Sequence, residues 1–218
     1  AEAHGQSIDN RKGGSFGNIS TFSFYANKHI TTGEGGAVLT NSEKDYENIK
    51  KMVNLDFDNS RRFQHDNLYW NYRLSGLQAA LGLSQIKKLD KTIQKKRKQG
   101  GIYKALLKNN PNFNIPLDNL DGVENHYWVY GILLKSDGIR EQVTNELAEK
   151  GIQTRPFFWP LHLQNALDPK YKNSKDELKN SEYLGKNGFY IPIGEHLNRN
   201  KQKFVAKNLI EIIEKYQN

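Results

Sequence analysis

The sequence predicts an α/β fold. Three strand patterns alternate with three helix patterns between residues 126 and 218, which is typical of a compact α/β domain. A long amphipathic helix pattern precedes them, from Ser75 to Leu107. The first 74 residues contain only about two strand patterns and one helix pattern, too few to bury their own apolar surface. We therefore expect the end of a larger domain, followed by a complete smaller one.

Two strands and a helix are expected in the first part of the chain. The strands are Ser20–Ala26 and Gly35–Asn41, because both are rich in small, aromatic or β-branched residues. Residues 1 to about 20 are rich in Gly, Ser and Asn and are expected to be loop. The helix is Ser42–Leu55, with a serine cap and one apolar face. That face consists of Tyr46, Ile49, Met52 and Val53.

A long irregular segment and a long helix follow. Residues 56–73 are polar and irregular, and a loop of this length usually serves a function or an interface. Ser75–Leu107 is expected to be helical for most of its length, with a possible break or kink at Gly100–Gly101. Its apolar stripe consists of Leu77, Ala80, Leu81, Leu83 and Ile86.

The second half is expected to form the smaller domain. Asn109–Asn125 has the composition of a linker, which predicts a larger domain with its connecting helix at 1–108 and a small α/β domain at 109–218. The predicted strands are His126–Lys135, Ile152–Phe158 (an edge strand, because it contains proline) and Phe189–Gly194. The predicted helices are Asp137–Gly151, Lys175–Gly188 and Asn198–Gln217, the last with a stripe of Phe204, Val205, Leu209, Ile212 and Ile213.

Composition excludes several classes of protein. Cysteine is absent, which excludes disulfides, thiolate nucleophiles and cysteine metal sites. No apolar stretch approaches the roughly 18 residues of a membrane span, and Ala1–Asn10 lacks the features of a signal peptide. We expect a cytoplasmic protein that does not enter a membrane. Position 1 is alanine, which suggests that the chain is a fragment.

The chain is basic, with a formal net charge of +8 at pH 7. Much of this charge comes from Lys87–Gln99, and a basic surface can bind nucleic acid, a membrane surface or small anions. A nucleic-acid surface typically adds exposed aromatic residues or a known reading module, and this segment has neither. We therefore favour a solvated helix face and expect no nucleic-acid partner. A binding module for RNA or another polyanion stays open as the alternative.

Lys28 stands between an aromatic run and a glycine-rich stretch, within Phe22–Gly36. A lysine amine at its ordinary pKa of about 10.4 is protonated and is not a nucleophile. Burial beside aromatic rings disfavours the charged form, and such an amine can condense with an aldehyde cofactor. The glycines would let the backbone approach a flat ring closely. From composition alone, a solvated loop lysine is the more frequent explanation.

Four separated motifs favour the chemical role of Lys28. They are AEAHG at 1–5, GSFGNISTFSFYANKHITTGEGGAVLTN at 14–41, WNYRLSGLQAALGLSQI at 70–86 and TRPFFWPLH at 154–162. In this order they resemble the DegT/DnrJ/EryC1/StrS family of sugar aminotransferases, along essentially the whole chain. The resemblance implies the C-terminal portion of a type I pyridoxal-phosphate-dependent transferase, with an aspartate-aminotransferase-like fold. It assigns to Lys28 the covalent binding of pyridoxal 5′-phosphate.

The resemblance assigns further cofactor contacts. Ser23 matches a ligand of the cofactor phosphate, to which a hydroxyl can donate. Asn71 matches an asparagine that reaches the cofactor phosphate of the neighbouring subunit, which implies a homodimer with shared active sites. Glu2 matches the polar residue near the phenolic edge of the cofactor ring. From sequence alone, strand packing explains Ser23 and a turn explains Asn71 at least as well.

Substrate contacts are expected from Arg155, Phe157 and His162, and from Arg73. Arg155 can pair bidentately with a carboxylate or a diphosphate. Core packing explains Phe157 equally well, and Arg73 either contacts substrate or holds the interface loop. The TRPFF segment is most similar to the perosamine-synthase branch of the family, whose substrate is GDP-4-keto-6-deoxymannose.

The resemblance predicts an enzyme. The expected reaction of the intact protein is the transfer of an amino group from glutamate to a nucleotide-linked keto-deoxy-sugar, for surface polysaccharide or glycan synthesis. Relatives with histidine in place of the lysine dehydrate a keto-sugar, so Lys28 favours amino transfer. The family's aspartate for the pyridine nitrogen would stand just before Ala1, so this chain alone is expected to lack part of the site. An inactive truncated member of the family is therefore a further alternative.

Overall fold

The computed structural model describes residues 1–168 and 178–217. The chain divides into two compact units. Unit 1 comprises Ala1–Gln94 and Asn119–Trp128, and unit 2 comprises Lys95–Asp118 and Val129–Asn218. Strands and helices occur in both units, so the predicted α/β class is confirmed. The predicted domains, 1–108 and 109–218, concern the intact protein and stay predictions.

Two antiparallel hairpins open unit 1. Strands β1 (Ser7–Ile8) and β2 (Arg11–Lys12) form the first, so the prediction of continuous loop is wrong for these residues. Asp9 and Asn10 connect them with φ of 49° and 62°, a left-handed conformation that Asp and Asn tolerate better than most residues. Strands β3 (Ile19–Ser23) and β4 (Gly36–Thr40) form the second hairpin and confirm the two predicted strands.

Helices α1 (Glu43–Val53) and α2 (Gly76–Ile86) follow in unit 1. The hydroxyl of Ser42 accepts the N–H of Asp45 at 3.2 Å, which confirms the predicted cap of α1. Ser75 and Gln78 form a capping box at the start of α2. Neither helix fully buries a residue in the described part of the chain. On the predicted face of α1, Ile49 and Val53 are half-buried, whereas the predicted stripe of α2 is exposed.

The break in the long helical segment lies at Lys87–Lys88, before helix α3 (Leu89–Leu107). The expected break at Gly100–Gly101 is wrong, because both glycines lie inside α3. The N–H of Lys88 bonds to Gln85 O at 2.8 Å, so the chain leaves α2 through a tight turn. Glycine lowers helix propensity, but tertiary contacts of the surrounding turns override so small a preference.

The polar segment 56–73 is irregular, as predicted, but its end is paired with the end of α1. Asn54 and Asn71 form an isolated antiparallel bridge, and the N–H of Tyr72 bonds to Val53 O at 2.9 Å. A third hairpin of unit 1 comes from the predicted linker and comprises β6 (Asn119–Leu120) and β7 (Val123–Glu124).

Unit 2 contains a four-stranded sheet in which every neighbouring pair is antiparallel. Its order is β5 (Phe113–Asn114), β8 (Tyr130–Leu134), β10 (Gly188–Ile191) and β9 (Arg155–Pro156). β9 pairs only with β10, which confirms the predicted edge strand. β8 begins four residues later than predicted, because residues 126–128 belong to unit 1 and Tyr127 has a left-handed φ of 48°.

Three further α-helices lie wholly within the described part of unit 2, and its core is well buried. They are α4 (Arg140–Glu149), α5 (Lys179–Asn187) and α6 (Arg199–Lys215). Residues 175–177 of the predicted helix Lys175–Gly188 lie outside the described residues. In α6 the predicted stripe is buried at Val205, Leu209, Ile212 and Ile213, whereas Phe204 is half exposed, contrary to the prediction. In the described part of the chain, no helix has the length and apolarity that crossing a membrane requires.

Candidate active site

Lys28 lies in the loop that joins β3 to β4. The N–H of Phe24 bonds to Gly35 O at 2.8 Å and the N–H of Thr32 bonds to Phe24 O at 2.9 Å, so both ends of the loop are closed. Gly35 has a φ of 136°, which only glycine adopts readily. The loop is therefore fixed at its base, and Lys28 lies at its far end.

The amine of Lys28 is nearly buried and has two contacts in unit 1. Its Nζ lies 2.5 Å from Glu2 Oε1, and the side chains of Lys28 and Glu2 are 8% and 44% exposed. The same Nζ lies 4.1 Å from the centre of a Trp128 ring, within the range of a cation–π interaction. The structure thus brings together two of the predicted site residues, Lys28 and Glu2.

A row of three histidine rings begins at this pair, with His126 in contact with Glu2. His126 Nε2 lies 2.5 Å from the main-chain oxygen of Glu2, and since a carbonyl oxygen only accepts, this nitrogen carries the proton. The His126 and His29 rings lie 4.9 Å apart, and those of His29 and His4 lie 6.4 Å apart. Burial lowers the pKa of His4 below its ordinary value, so its imidazole is neutral at pH 7.

Ser23 stands at the end of β3, five residues before Lys28. Its hydroxyl oxygen accepts the N–H of Tyr25 at 3.3 Å, and the N–H of Lys28 bonds in turn to Tyr25 O at 3.0 Å. Two short turns therefore connect the hydroxyl with the lysine. This connection holds the serine in a defined position relative to Lys28 within unit 1.

Asn71 and Arg73 lie at the end of the polar segment, and both are exposed. Arg73 Nε donates to Asn71 Oδ1 at 2.8 Å. Within the described part of the chain these two residues contact each other rather than Lys28. Glu2, by contrast, contacts Lys28 directly.

The remaining predicted site residues belong to unit 2. Arg155 is exposed on the edge strand β9. The ring of Phe157 packs against the sheet, because a Cβ added at Gly131 or Gly188 would lie 2.7 or 2.2 Å from it. His162 Nε2 lies 3.1 Å from Glu182 Oε1 on α5.

Sequence reasoning missed Trp128, His126, His29 and His4. The sequence pattern predicts a strand over 126–128, and His4 and His29 stand in motifs that assign a role to Glu2 and Lys28 but none to these histidines. A usable signal was present, since histidine, tyrosine and tryptophan stand consecutively at 126–128 directly after a polar linker. Their contact with residues about 100 positions away could not be deduced from that signal.

Two lysines of the basic segment Lys87–Gln99 form hydrogen bonds within unit 2. Lys95 Nζ donates to Glu195 O at 2.7 Å, and Lys96 Nζ lies 3.4 Å from Ile193 O. Burial lowers the pKa of Lys96 to about 8. A continuous, solvated phosphate-binding face is therefore not formed by these two lysines.

Comparisons with known proteins agree along the chain. The profile of the DegT/DnrJ/EryC1/StrS aminotransferase family matches residues 1–210. GDP-perosamine synthase of Escherichia coli O157:H7 is 35% identical over 211 residues, which are 97% of this chain and 56% of that relative.

Solved structures support the same relationship. Helicobacter pylori PseC, an aminotransferase involved in the biosynthesis of pseudoaminic acid, matches with a TM-score of 0.88 and 27% identity, over 99% of this chain and 58% of PseC. A GDP-4-keto-6-deoxymannose-3-dehydratase with a trapped PLP–glutamate geminal diamine matches with a TM-score of 0.80 and 25% identity, over 94% of this chain and 58% of the dehydratase.

The chain spans about half the length of the curated relatives it matches. Within that span the agreement is continuous, because the family profile covers all but the last residues. The matched structures also confirm the predicted fold, the C-terminal portion of a pyridoxal-phosphate-dependent transferase. The chain therefore belongs to the DegT/DnrJ/EryC1/StrS aminotransferase family.

Proposed function

We propose that this chain supplies the lysine-bearing part of a pyridoxal-phosphate-dependent aminotransferase, which moves an amino group from glutamate to a nucleotide-linked keto-deoxy-sugar. The observation that carries this proposal is the Lys28 amine, nearly buried and 2.5 Å from the Glu2 carboxylate. A solvated loop lysine would be mostly exposed instead. The family and its named aminotransferases supply the reaction class.

The donor groups of unit 1 fit the cofactor in the part that this chain contributes. A primary amine with little solvent exposure suits an aldehyde carbon, and a serine hydroxyl close by in sequence suits a phosphate. When bound, pyridoxal phosphate supplies an electron sink and carries the amino group between the two substrates.

Lys28, Glu2 and Ser23 of unit 1 have different roles in this proposal. The Nζ of Lys28 would hold the cofactor through its aldehyde carbon, and as a free amine it would take up and return a proton as general base and acid. Glu2 orients that amine through its carboxylate. Because Ser23 Oγ accepts the Tyr25 N–H, its own O–H can point at the phosphate.

We further propose a homodimer with shared sites. Arg73 donates to the side-chain oxygen of Asn71, and the Asn71 amide N–H groups are of the kind that donates to a phosphate. A hybrid of Lys28→Ala and Asn71→Ala subunits tests this. If the sites are shared, the hybrid contains one site with both defects and one without, and regains activity. A hybrid no more active than either parent would contradict the shared site.

The favoured substrate is GDP-4-keto-6-deoxymannose. Three curated relatives at 34–36% identity are GDP-perosamine synthases, which supports a GDP-linked sugar. Lysine rather than histidine at position 28 favours amino transfer over dehydration. Arg155, Phe157 and His162 of unit 2 and the exposed Arg73 are the proposed substrate contacts. The guanidinium groups suit the diphosphate or the glutamate carboxylates.

Borohydride trapping tests the proposal. The protein is loaded with pyridoxal phosphate, reduced, digested and analysed by mass spectrometry. We expect the adduct on the peptide that contains Lys28. Lys28→Ala should keep the melting temperature and lose turnover, and the matched control Lys50→Ala, an exposed lysine of α1, should keep both.

Two outcomes would contradict this function. An adduct on another lysine, or none, removes Lys28 from the chemistry. A colourless protein that retards RNA with a steep salt dependence would favour the polyanion-binding alternative. Turnover with a UDP-linked but not a GDP-linked keto-sugar would leave the reaction class intact and refute the favoured nucleotide.

A further inference from the structure

Trp128 touches the lysine site in two ways, both within unit 1. The centre of its ring lies 4.1 Å from Lys28 Nζ, a cation–π contact. The same amine forms an ion pair with the Glu2 carboxylate. The indole Nε1 of Trp128 donates to Asn27 O at 2.9 Å. Because Asn27 directly precedes Lys28, one side chain fixes both the backbone before the lysine and the end of the lysine side chain.

The backbone around Trp128 is shaped for these contacts. Tyr127 has a φ of 48°, a left-handed conformation that is costly for a bulky residue and persists only where its surroundings impose it. His126, on the other side of Tyr127, donates to the main-chain oxygen of Glu2 at 2.5 Å. The strained residue therefore separates Trp128, which contacts the Lys28 amine, from His126, which contacts the backbone of Glu2.

We propose that Trp128 is a positioning residue of the lysine site, with His126 as its second anchor. Trp128 covers the Lys28 amine and sets its place relative to Glu2, while His126 fixes the backbone of Glu2. This inference deepens the proposed function and rests on it for the benefit to amino transfer. The amine is then kept in one place and away from water whenever it is not joined to the cofactor.

Reductive methylation of the cofactor-free chain with formaldehyde and cyanoborohydride tests whether Trp128 shields the Lys28 amine from reagent. Trp128→Leu should raise the labelling rate of Lys28 roughly tenfold, because one cation–π contact and one hydrogen bond are lost. Trp128→Phe keeps a ring and should fall between. The matched control is Trp159→Leu, whose indole also donates to a main-chain oxygen, Leu163 O at 3.2 Å, but in unit 2. It should leave Lys28 labelling unchanged.

A second pair of variants tests the anchor. His126→Gln retains an N–H for the Glu2 oxygen and should label like the unsubstituted chain. His126→Leu cannot donate and should label Lys28 faster. If Gln and Leu behave alike, His126 is no anchor.

The intact protein, loaded with pyridoxal phosphate, tests the placement of the Lys28 amine. Trp128→Leu should lower kcat roughly tenfold and leave KM for glutamate nearly unchanged, because a positioning residue acts on the reacting amine rather than on substrate binding. Unchanged Lys28 labelling in a Trp128→Leu or Trp128→Phe variant with native circular dichroism overturns the inference. Failure to trap cofactor on Lys28 overturns the proposed function instead, since labelling is measured without cofactor.

Discussion

Lys96, on α3, is expected to make the free energy of unfolding of unit 2 depend on pH. Burial lowers its pKa from 10.5 to about 8, so between these values the unfolded chain binds more protons than the folded chain. Stability contributed by this group therefore rises with pH from about 8 to 10.5. Lys96→Met removes the cost of burying the charge and should raise the free energy of unfolding at pH 7 by about 1–3 kcal/mol.

Denaturant unfolding at pH 7 and pH 10 measures this effect. The advantage of Lys96→Met should shrink at the higher pH, where the native lysine is neutral when folded. Lys95→Met is the matched control, since Lys95 is an exposed neighbour that also bonds to a main-chain oxygen. The desolvation argument is refuted if Lys95→Met and Lys96→Met have the same pH profile.

Two glycines in different elements should respond to alanine with opposite signs. At Gly188, the first residue of β10, an added Cβ would lie 2.2 Å from the Phe157 ring and 2.5 Å from Leu184 O. Gly188→Ala should therefore lower the free energy of unfolding by about 1–3 kcal/mol. At Gly101, inside α3, an added Cβ would meet nothing within 4 Å, so Gly101→Ala should raise it by about 0.5–1 kcal/mol.

Thermal and denaturant unfolding of the two variants compares them directly. Destabilisation by Gly101→Ala would show that α3 needs the glycine, as a break or kink there would require. A neutral Gly188→Ala would show that Phe157 does not pack against the strand, which would leave its ring more available to a ligand.

The two units should differ in their resistance to local opening. Unit 2 has a core of fully buried side chains, among them Tyr103, Tyr130, Leu147 and Phe189. The β3–β4 hairpin of unit 1 exposes Ile19 and the strand β4 residue Leu39 at about half of their surface. Amides of β3 and β4 should therefore exchange with deuterium at least roughly ten times faster than those of β8 and β10.

Hydrogen exchange on the 218-residue chain gives this comparison by peptide mass spectrometry. Addition of a protein segment that covers the exposed face of unit 1 should slow the exchange of β3 and β4 and leave β8 unaffected. Equally strong protection of both hairpin strands without any partner would contradict the view that unit 1 needs further chain to bury its apolar surface.

Local sequence determined the elements whose causes are local. Helix starts at Ser42, Ser75 and Asn198 follow from side chains that cap a helix within three residues, and all three caps are present. The edge position of β9 follows from its proline. The four separated motifs, in their order along the chain, were sufficient to predict the family and the candidate lysine, because a resemblance to a family is read from the sequence without its tertiary contacts.

Tertiary structure decided the direct contacts of the Lys28 amine, and Trp128 among them was not predicted. Glu2 and Trp128 stand 26 residues before and 100 residues after it, and contacts across such separations depend on how the whole unit folds. The same reason explains why residues 126–128 leave the predicted strand and join unit 1. Periodicity and capping act within a few residues, so they predict an element but not its partner across the chain.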